Sequence, residues 1–199
     1  MSNSREIILE GLKNNANGAS HIKANVAKKT YHWSKEEMIE KLSEKLQSAR
    51  AETFVLSDTG LIDWLNDELP KRSIGNILIG TSIEKQISQY INNEIEVIKY
   101  EDCYESWSEK LFNETDASIT TTIGAIAESG SIVLHPTPYE PRLMSLVPNI
   151  HIALVYEDTI YETFDQIIST QNWSENMPTN ALLISGPSKT ADIEQVLAY

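Results

Sequence analysis

The sequence predicts an α/β fold: a mostly parallel sheet covered by helices on both faces, in three layers. Two observations carry this. Short, nearly continuous apolar runs recur along the chain, as expected of strands buried on both faces. Between them lie amphipathic segments of the length that crossover helices need. At 199 residues with 41% hydrophobic and 23% charged side chains, the chain is large enough for one substantial core and short for two.

The elements follow in order. Residues 5–12 form a short helix, and the Asn-, Gly- and Ala-rich stretch 14–20 reads as a flexible joint. Ser34 followed three residues later by Glu37 is a capping box, and Met38, Leu42, Leu46 and Ala49 continue at helical spacing. Residues 53–56 are a short apolar strand. Residues 58–69 are a helix with Leu61, Ile62, Leu65 and Leu69 on one face, stopped by Pro70. Strands are expected at 76–80, 95–98, 117–121, 131–134, 150–156 and 181–184, and helices at 105–112, 160–168 and 191–197. The predicted organisation is an N-terminal helical extension and linker over residues 1–33, then one α/β domain over 34–199.

Charge and composition exclude several classes of function. With 29 acidic and 16 basic residues the net charge is −13, against the basic footprint that phosphate backbones require. The local cluster Lys23, Lys28, Lys29 and Lys35, with Arg50, is interleaved with Glu36, Glu37, Glu40 and Glu44 and reads as a solvated helix face. Nucleic acid is therefore disfavoured as a partner. No apolar run approaches the ~20 residues that span a bilayer, so membrane insertion is not expected. The first 12 residues place Glu6 and Glu10 within their apolar group, unlike a secretory signal, and the expected location is cytoplasmic. The single cysteine, Cys103, cannot form an internal disulfide or supply the thiolates of an iron–sulfur cluster. His21, His32, His135 and His151 lack metal spacing. The reading assigns no metal and no cofactor.

The residues that carry chemistry concentrate between 117 and 157. In Glu128-Ser129-Gly130-Ser131, Glu128 is a candidate nucleophile or general base, with backbone N–H groups near Gly130 able to face an anion. The plainer alternative is a turn in which glycine supplies a positive φ and Glu128 bonds nearby N–H groups, and turns far outnumber active sites. Arg142 follows a proline-broken loop, and a guanidinium grips a carboxylate or phosphate with two parallel bonds. A structural ion pair is the equal alternative. His151 is a candidate ligand-binding residue or a hydrogen-bonded strand-end histidine. Ser185-Gly186-Pro187-Ser188-Lys189-Thr190 has the small residues, hydroxyls and lysine of a phosphate cradle, without Walker spacing. Asp192 and Glu194 in the first turn of the expected helix repel an anion, so a structural turn is favoured unless a ligand also reaches Arg142 or Lys189. Thr121, with its neighbours Thr120 and Thr122, adds hydroxyls. The expectation is that Thr121, Ser129, Gly130, Ser131, Arg142, His151, Ser185, Gly186, Ser188 and Lys189 gather with Glu128 at one carboxyl edge of the sheet, around a small anionic ligand.

In their order, the motifs Ile119-Thr120, 127–134, Arg142, Ser145-Leu146-Val147-Pro148, His151-Ile152 and 185–194 resemble the lactate-utilisation protein C family, the LUD-domain or YkgG-like proteins. The resemblance runs from about residue 117 onward. It implies a Rossmann-like sandwich of the NagB/RpiA/CoA-transferase group. It also implies a cluster-free accessory subunit in a system that oxidises L-lactate to pyruvate, whose partner proteins carry the iron–sulfur clusters. In CoA-transferases of that group a glutamate forms an acyl anhydride, and Glu128 is the matching candidate here. A stand-alone anion-binding protein is the third reading. Two departures stand out: the family has threonine where Ser129 stands, and its Gly-x-His-Gly-Pro turn has no counterpart before Ala198-Tyr199.

Overall fold

The computed structural model describes residues 4–16, 29–81, 83–100, 104–187, 190–191 and 197–198. Helix α1 (Ser4–Ala16) comes first, then α2 (Lys35–Ser48), whose capping box is present as expected: Glu37 N–H donates to the Ser34 hydroxyl and Ser34 N–H to the Glu37 carboxylate. Helix α3 (Asp58–Lys71) runs past Pro70, which sits in its last turn; the helix closes on Arg72, two residues later than the proline suggested. Residues 53–56 form no strand. Phe54, Val55 and Leu56 are exposed, and Phe54 instead packs its ring on Trp64 of α3. An apolar run without a neighbouring strand has no ladder to join.

Strands β1 (Asn76–Ile79), β2 (Glu96–Lys99), β3 (Ala117–Thr121) and β6 (Ile150–Leu154) make a wholly parallel sheet in the order β2-β1-β3-β6. Asn76 and Asp116 tie the amino ends of β1 and β3 together: Asp116 accepts from Asn76 N–H and Gly75 N–H, and its own N–H donates to the Asn76 side chain. One face packs Ile77, Ile79 and Ile119 against Leu65 and Leu69 of α3 and Ile87 of the short α4 (Glu84–Ile87). The other packs Leu78 and Ile98 against Trp107 and Leu111 of α5 (Tyr104–Asn113) and Met144 of a 3₁₀ turn (Arg142–Ser145). The three-layer α/β expectation holds for this sheet.

A second sheet, in the order β7-β4-β5-β8, was not foreseen. It comprises β4 (Gly124–Ile126), β5 (Ser131–Leu134), β7 (Ile160–Tyr161) and β8 (Leu182–Ile184), with β5 antiparallel to both of its neighbours. Strands 131–134 and 181–184, expected in the parallel sheet, belong here. The chain crosses directly from β3 into β4 through Thr122 and Ile123, so the apolar run gives no sign that it changes sheets. Ala125 and Ile132 face Leu42 and Leu46 of α2; Ile126 and Val133 face Ile167 of α6 (Phe164–Thr170) and Trp173. The predicted helix at 160–168 begins four residues late, because Ile160 and Tyr161 pair with β4. At the end of the chain, Thr190–Ala191 (β9) pairs antiparallel with Leu197–Ala198 (β10), where a helix over 191–197 was expected; residues 192–196 lie outside the described residues.

Candidate functional site

The structure divides the expected site residues between the two ends of β5. At its first residue lie Glu128, Ser129, Gly130, Ser131, Ser185 and Gly186. Beyond its last residue, Leu134, lie Thr121 and Arg142, with His151 close by. Ser188, Lys189 and Cys103 fall outside the described residues.

At the Ser131 end the geometry is that of a packed junction. The Ser129 hydroxyl donates to Ser131 Oγ at 2.9 Å, and Ser131 Oγ lies 2.8 Å from Ser185 Oγ, so three hydroxyls form a chain across the antiparallel β5–β8 pair. Gly130 has φ +67°, and a Cβ there would overlap the Cβ of Lys45 on α2. At Gly186 a Cβ would lie 2.9 Å from the backbone oxygen of Ala49, one residue beyond α2. Both glycines are required where the C-terminal turn of α2 presses on this sheet. The Ser185–Gly186 bend follows β8 of the second sheet, away from the carboxyl edge of the parallel one.

Glu128 is occupied by residues upstream. Tyr31 Oη donates to its Oε1 at 2.7 Å and Lys29 Nζ at 3.1 Å. These two bonds, Tyr31 first, hold the Glu128 carboxyl below its ordinary range and raise the Lys29 and Tyr31 groups that make them. Nearby Glu162 accepts Tyr31 N–H at 3.0 Å and Trp33 N–H at 2.7 Å. Desolvation pushes the Glu162 carboxyl up, but the two backbone donors, the neighbouring His32 and the Gln166 bond together outweigh it and the net shift is downward. Neither Tyr31 nor Glu162 carried a signal in the sequence, since 131 residues separate them.

At the other end, a shallow open depression is lined by Thr120, Thr121, Leu134, Glu140 and Arg142 among others. It lies at the carboxyl end of β3, where ligands bind in open α/β sheets. Thr121 is held by Glu140, whose Oε2 accepts both its N–H and its hydroxyl. Glu140 is 8% exposed and was missed by sequence reasoning. The signal available was its place between Pro138 and Pro141, where Thr137 Oγ1 accepts the Tyr139 and Glu140 N–H groups and turns the loop inward. Gly80, just past β1, makes room for it: a Cβ there would overlap Glu140 Cγ. The side chain of Arg142 is exposed and makes no ion pair among the described residues. His151, on β6, lies on the same sheet face as Ser118 and Thr120, with Nε2 2.8 Å from Thr120 Oγ1. Burial lowers its pKa from 6.5 to about 4, so it is a neutral imidazole at pH 7.

The depression sets one guanidinium, Arg142, beside the carboxylate of Glu140, which is engaged with Thr121. No group of three or more His, Cys, Asp or Glu that could hold a metal occurs among the described residues. No helix among them is long and apolar enough to cross a membrane.

Comparison with known proteins agrees with this architecture. A crystal structure of a DUF162 family protein from Deinococcus radiodurans superimposes with a TM-score of 0.63 over 76% of this chain and 88% of that one, at 19% identity. Likeness at that identity bears on the fold alone. In sequence, an uncharacterized protein of Neisseria meningitidis is 32% identical over 77% of this chain and 68% of its own length. A protein named lactate utilization protein C from Macrococcus caseolyticus is 37% identical over 44% of this chain and 40% of its own length. A Bacillus pumilus protein of the same name is 28% identical over 82% of this chain and 73% of its own. The family model described as LUD domain matches residues 39–199, and the chain belongs to that family.

Proposed function

We propose that this chain is an accessory component of a lactate-utilisation system, holding a small monocarboxylate at the Arg142 depression and working beside iron–sulfur partner proteins. The observation that carries the reading is Arg142: an exposed guanidinium without an ion pair among the described residues, on the rim of a depression at the carboxyl end of β3. A carboxylate there gains two parallel charge-assisted bonds. The name lactate utilization protein C, carried by relatives aligned over parts of this chain, supports lactate or pyruvate as the anion. One cysteine in 199 residues supports the assignment of redox clusters to partners rather than to this chain.

Deletion in the source organism should impair growth on L-lactate, and Arg142→Ala should fail to restore it. Thermal denaturation with lactate, pyruvate and inorganic phosphate reads the site directly, because a ligand bound by the native state alone raises the midpoint. A shift with the monocarboxylates that Arg142→Ala abolishes supports the reading. Unimpaired growth together with no shift from any of the three would overturn it.

A further inference from the structure

Residues 29–33 cross the surface as a strap anchored on two carboxylates. Glu162 takes the N–H groups of Tyr31 and Trp33, two residues apart, and Glu128 takes the Tyr31 hydroxyl and the Lys29 ammonium. Presenting both N–H groups to one carboxylate bends the backbone between them: His32 has φ +59°, in the left-handed region that non-glycine residues rarely enter. The aromatic rings of the strap do not enter the core. Tyr31 and Trp33 stack on each other, centroids 4.1 Å apart and 7° from parallel, and Lys41 of α2 covers Trp33 at 4.9 Å. Tyr31 remains 37% exposed.

Beneath the strap the packing is incomplete. A groove of about 190 Å³ separates Lys29 and Thr30 from Thr163, Gln166 and Ser169. Thr163 is 4% exposed, and its hydroxyl has no hydrogen-bond partner among the described residues. A strap seated by charge-assisted bonds above an unfilled groove, carrying its own local strain, can leave the surface without opening either sheet.

We propose that residues 29–33 are a reversible latch that screens Glu128, and that its release presents Glu128, Glu162 and the Thr163 hydroxyl together as one acidic surface. The chemistry of the resident segment defines what competes for that surface: a peptide segment with a cation and an aromatic hydroxyl two residues apart, and free N–H groups at alternate positions. This face lies at the opposite end of β5 from the Arg142 depression, so the latch and the anion site stand or fall separately.

The test uses the whole chain. Carboxyl labelling by a water-soluble carbodiimide with an amine nucleophile, mapped by mass spectrometry, reads the availability of Glu128; amide hydrogen exchange reads the strap. Glu162→Gln should speed exchange at Tyr31 and Trp33 and raise the Glu128 labelling rate about tenfold, the equivalent of about one charge-assisted hydrogen bond, with β1 and β3 protection unchanged. The double variant Lys29→Met/Tyr31→Phe keeps the Glu162 anchor, so Glu128 labelling should rise while the strap amides stay protected. Wild-type Glu128 labelling as fast as that of exposed Glu175, or no rise in the double variant, overturns the latch. Global loss of protection in Glu162→Gln would show a structural brace instead, and overturns it equally.

Discussion

Thr121 gives both its backbone N–H and its hydroxyl to a single oxygen of Glu140, at 2.9 and 2.7 Å. This pairing ties the carboxyl end of β3 to a loop whose two prolines, Pro138 and Pro141, bracket the glutamate and whose fold brings Arg142 beside the sheet. Removing the carboxylate leaves the two donors without their acceptor, while the loop loses its anchor. Glu140→Ala should therefore cost about 2–3 kcal/mol in urea unfolding, with the loss falling on the shape of the depression as well. Gly80→Ala tests the same junction from the other strand. Its Cβ would overlap Glu140 Cγ and lie 2.9 Å from the backbone oxygen of Tyr139, so a cost of about 2 kcal/mol is expected. Stability within about 0.5 kcal/mol of wild type in both variants would mean that the pairing does not hold the loop.

Gly130 makes a sharper case because two independent reasons exclude a side chain. Its φ of +67° disfavours any Cβ, and the Cβ would in addition meet that of Lys45. Gly130→Ala should lower stability by about 2 kcal/mol or more. Since the obstacle is a Cβ, adding Lys45→Ala should restore little, whereas Lys45→Gly should recover part of the loss beyond its own helix-propensity cost of about 1 kcal/mol. A double-mutant cycle by denaturant titration separates these outcomes, and equal recovery from alanine and glycine would place the strain elsewhere.

What the sequence disclosed divides along physical lines. The capping box at Ser34 and Glu37, the strands β1 and β3, and the apolar stripe of α3 were legible because local spacing determines them. The second sheet was not. Ser131–Leu134 reads the same whether its neighbours run parallel or antiparallel, and β7 is two residues long, below any periodic signal. The site followed the same rule. Arg142 and Thr121 stood out as residue types, but Glu140 and Glu162 act through contacts that depend on where the chain returns. Placing Glu128 and Arg142 in one mouth assumed one sheet; with two, β5 separates them. The hydroxyls of Ser129, Ser131 and Ser185 did come together, but beside the end of α2 rather than beside Arg142.

His151 provides a test that depends on pH. Burial lowers its pKa to about 4 from an ordinary 6.5, and its Nε2 sits against the Thr120 hydroxyl at 2.8 Å. Between those two values the unfolded chain binds a proton on this residue that the folded chain does not, so stability rises with pH across the interval. The contribution is complete above pH 6.5 and is lost progressively as pH falls toward 4, amounting to about 2–3 kcal/mol once its partial exposure is allowed for. The carboxylates held low, Glu128 and Glu162 among them, lose their contribution only further down, below their ordinary 4.5. The slope between pH 6.5 and 4.5 is therefore assigned to the imidazole. His151→Gln should flatten that slope in denaturant titrations at successive pH values, and the ring carbon resonance of His151 should titrate with a midpoint near 4. A midpoint near 6.5, or an unchanged slope in the variant, would mean that the ring reaches solvent and takes up its proton in the folded chain.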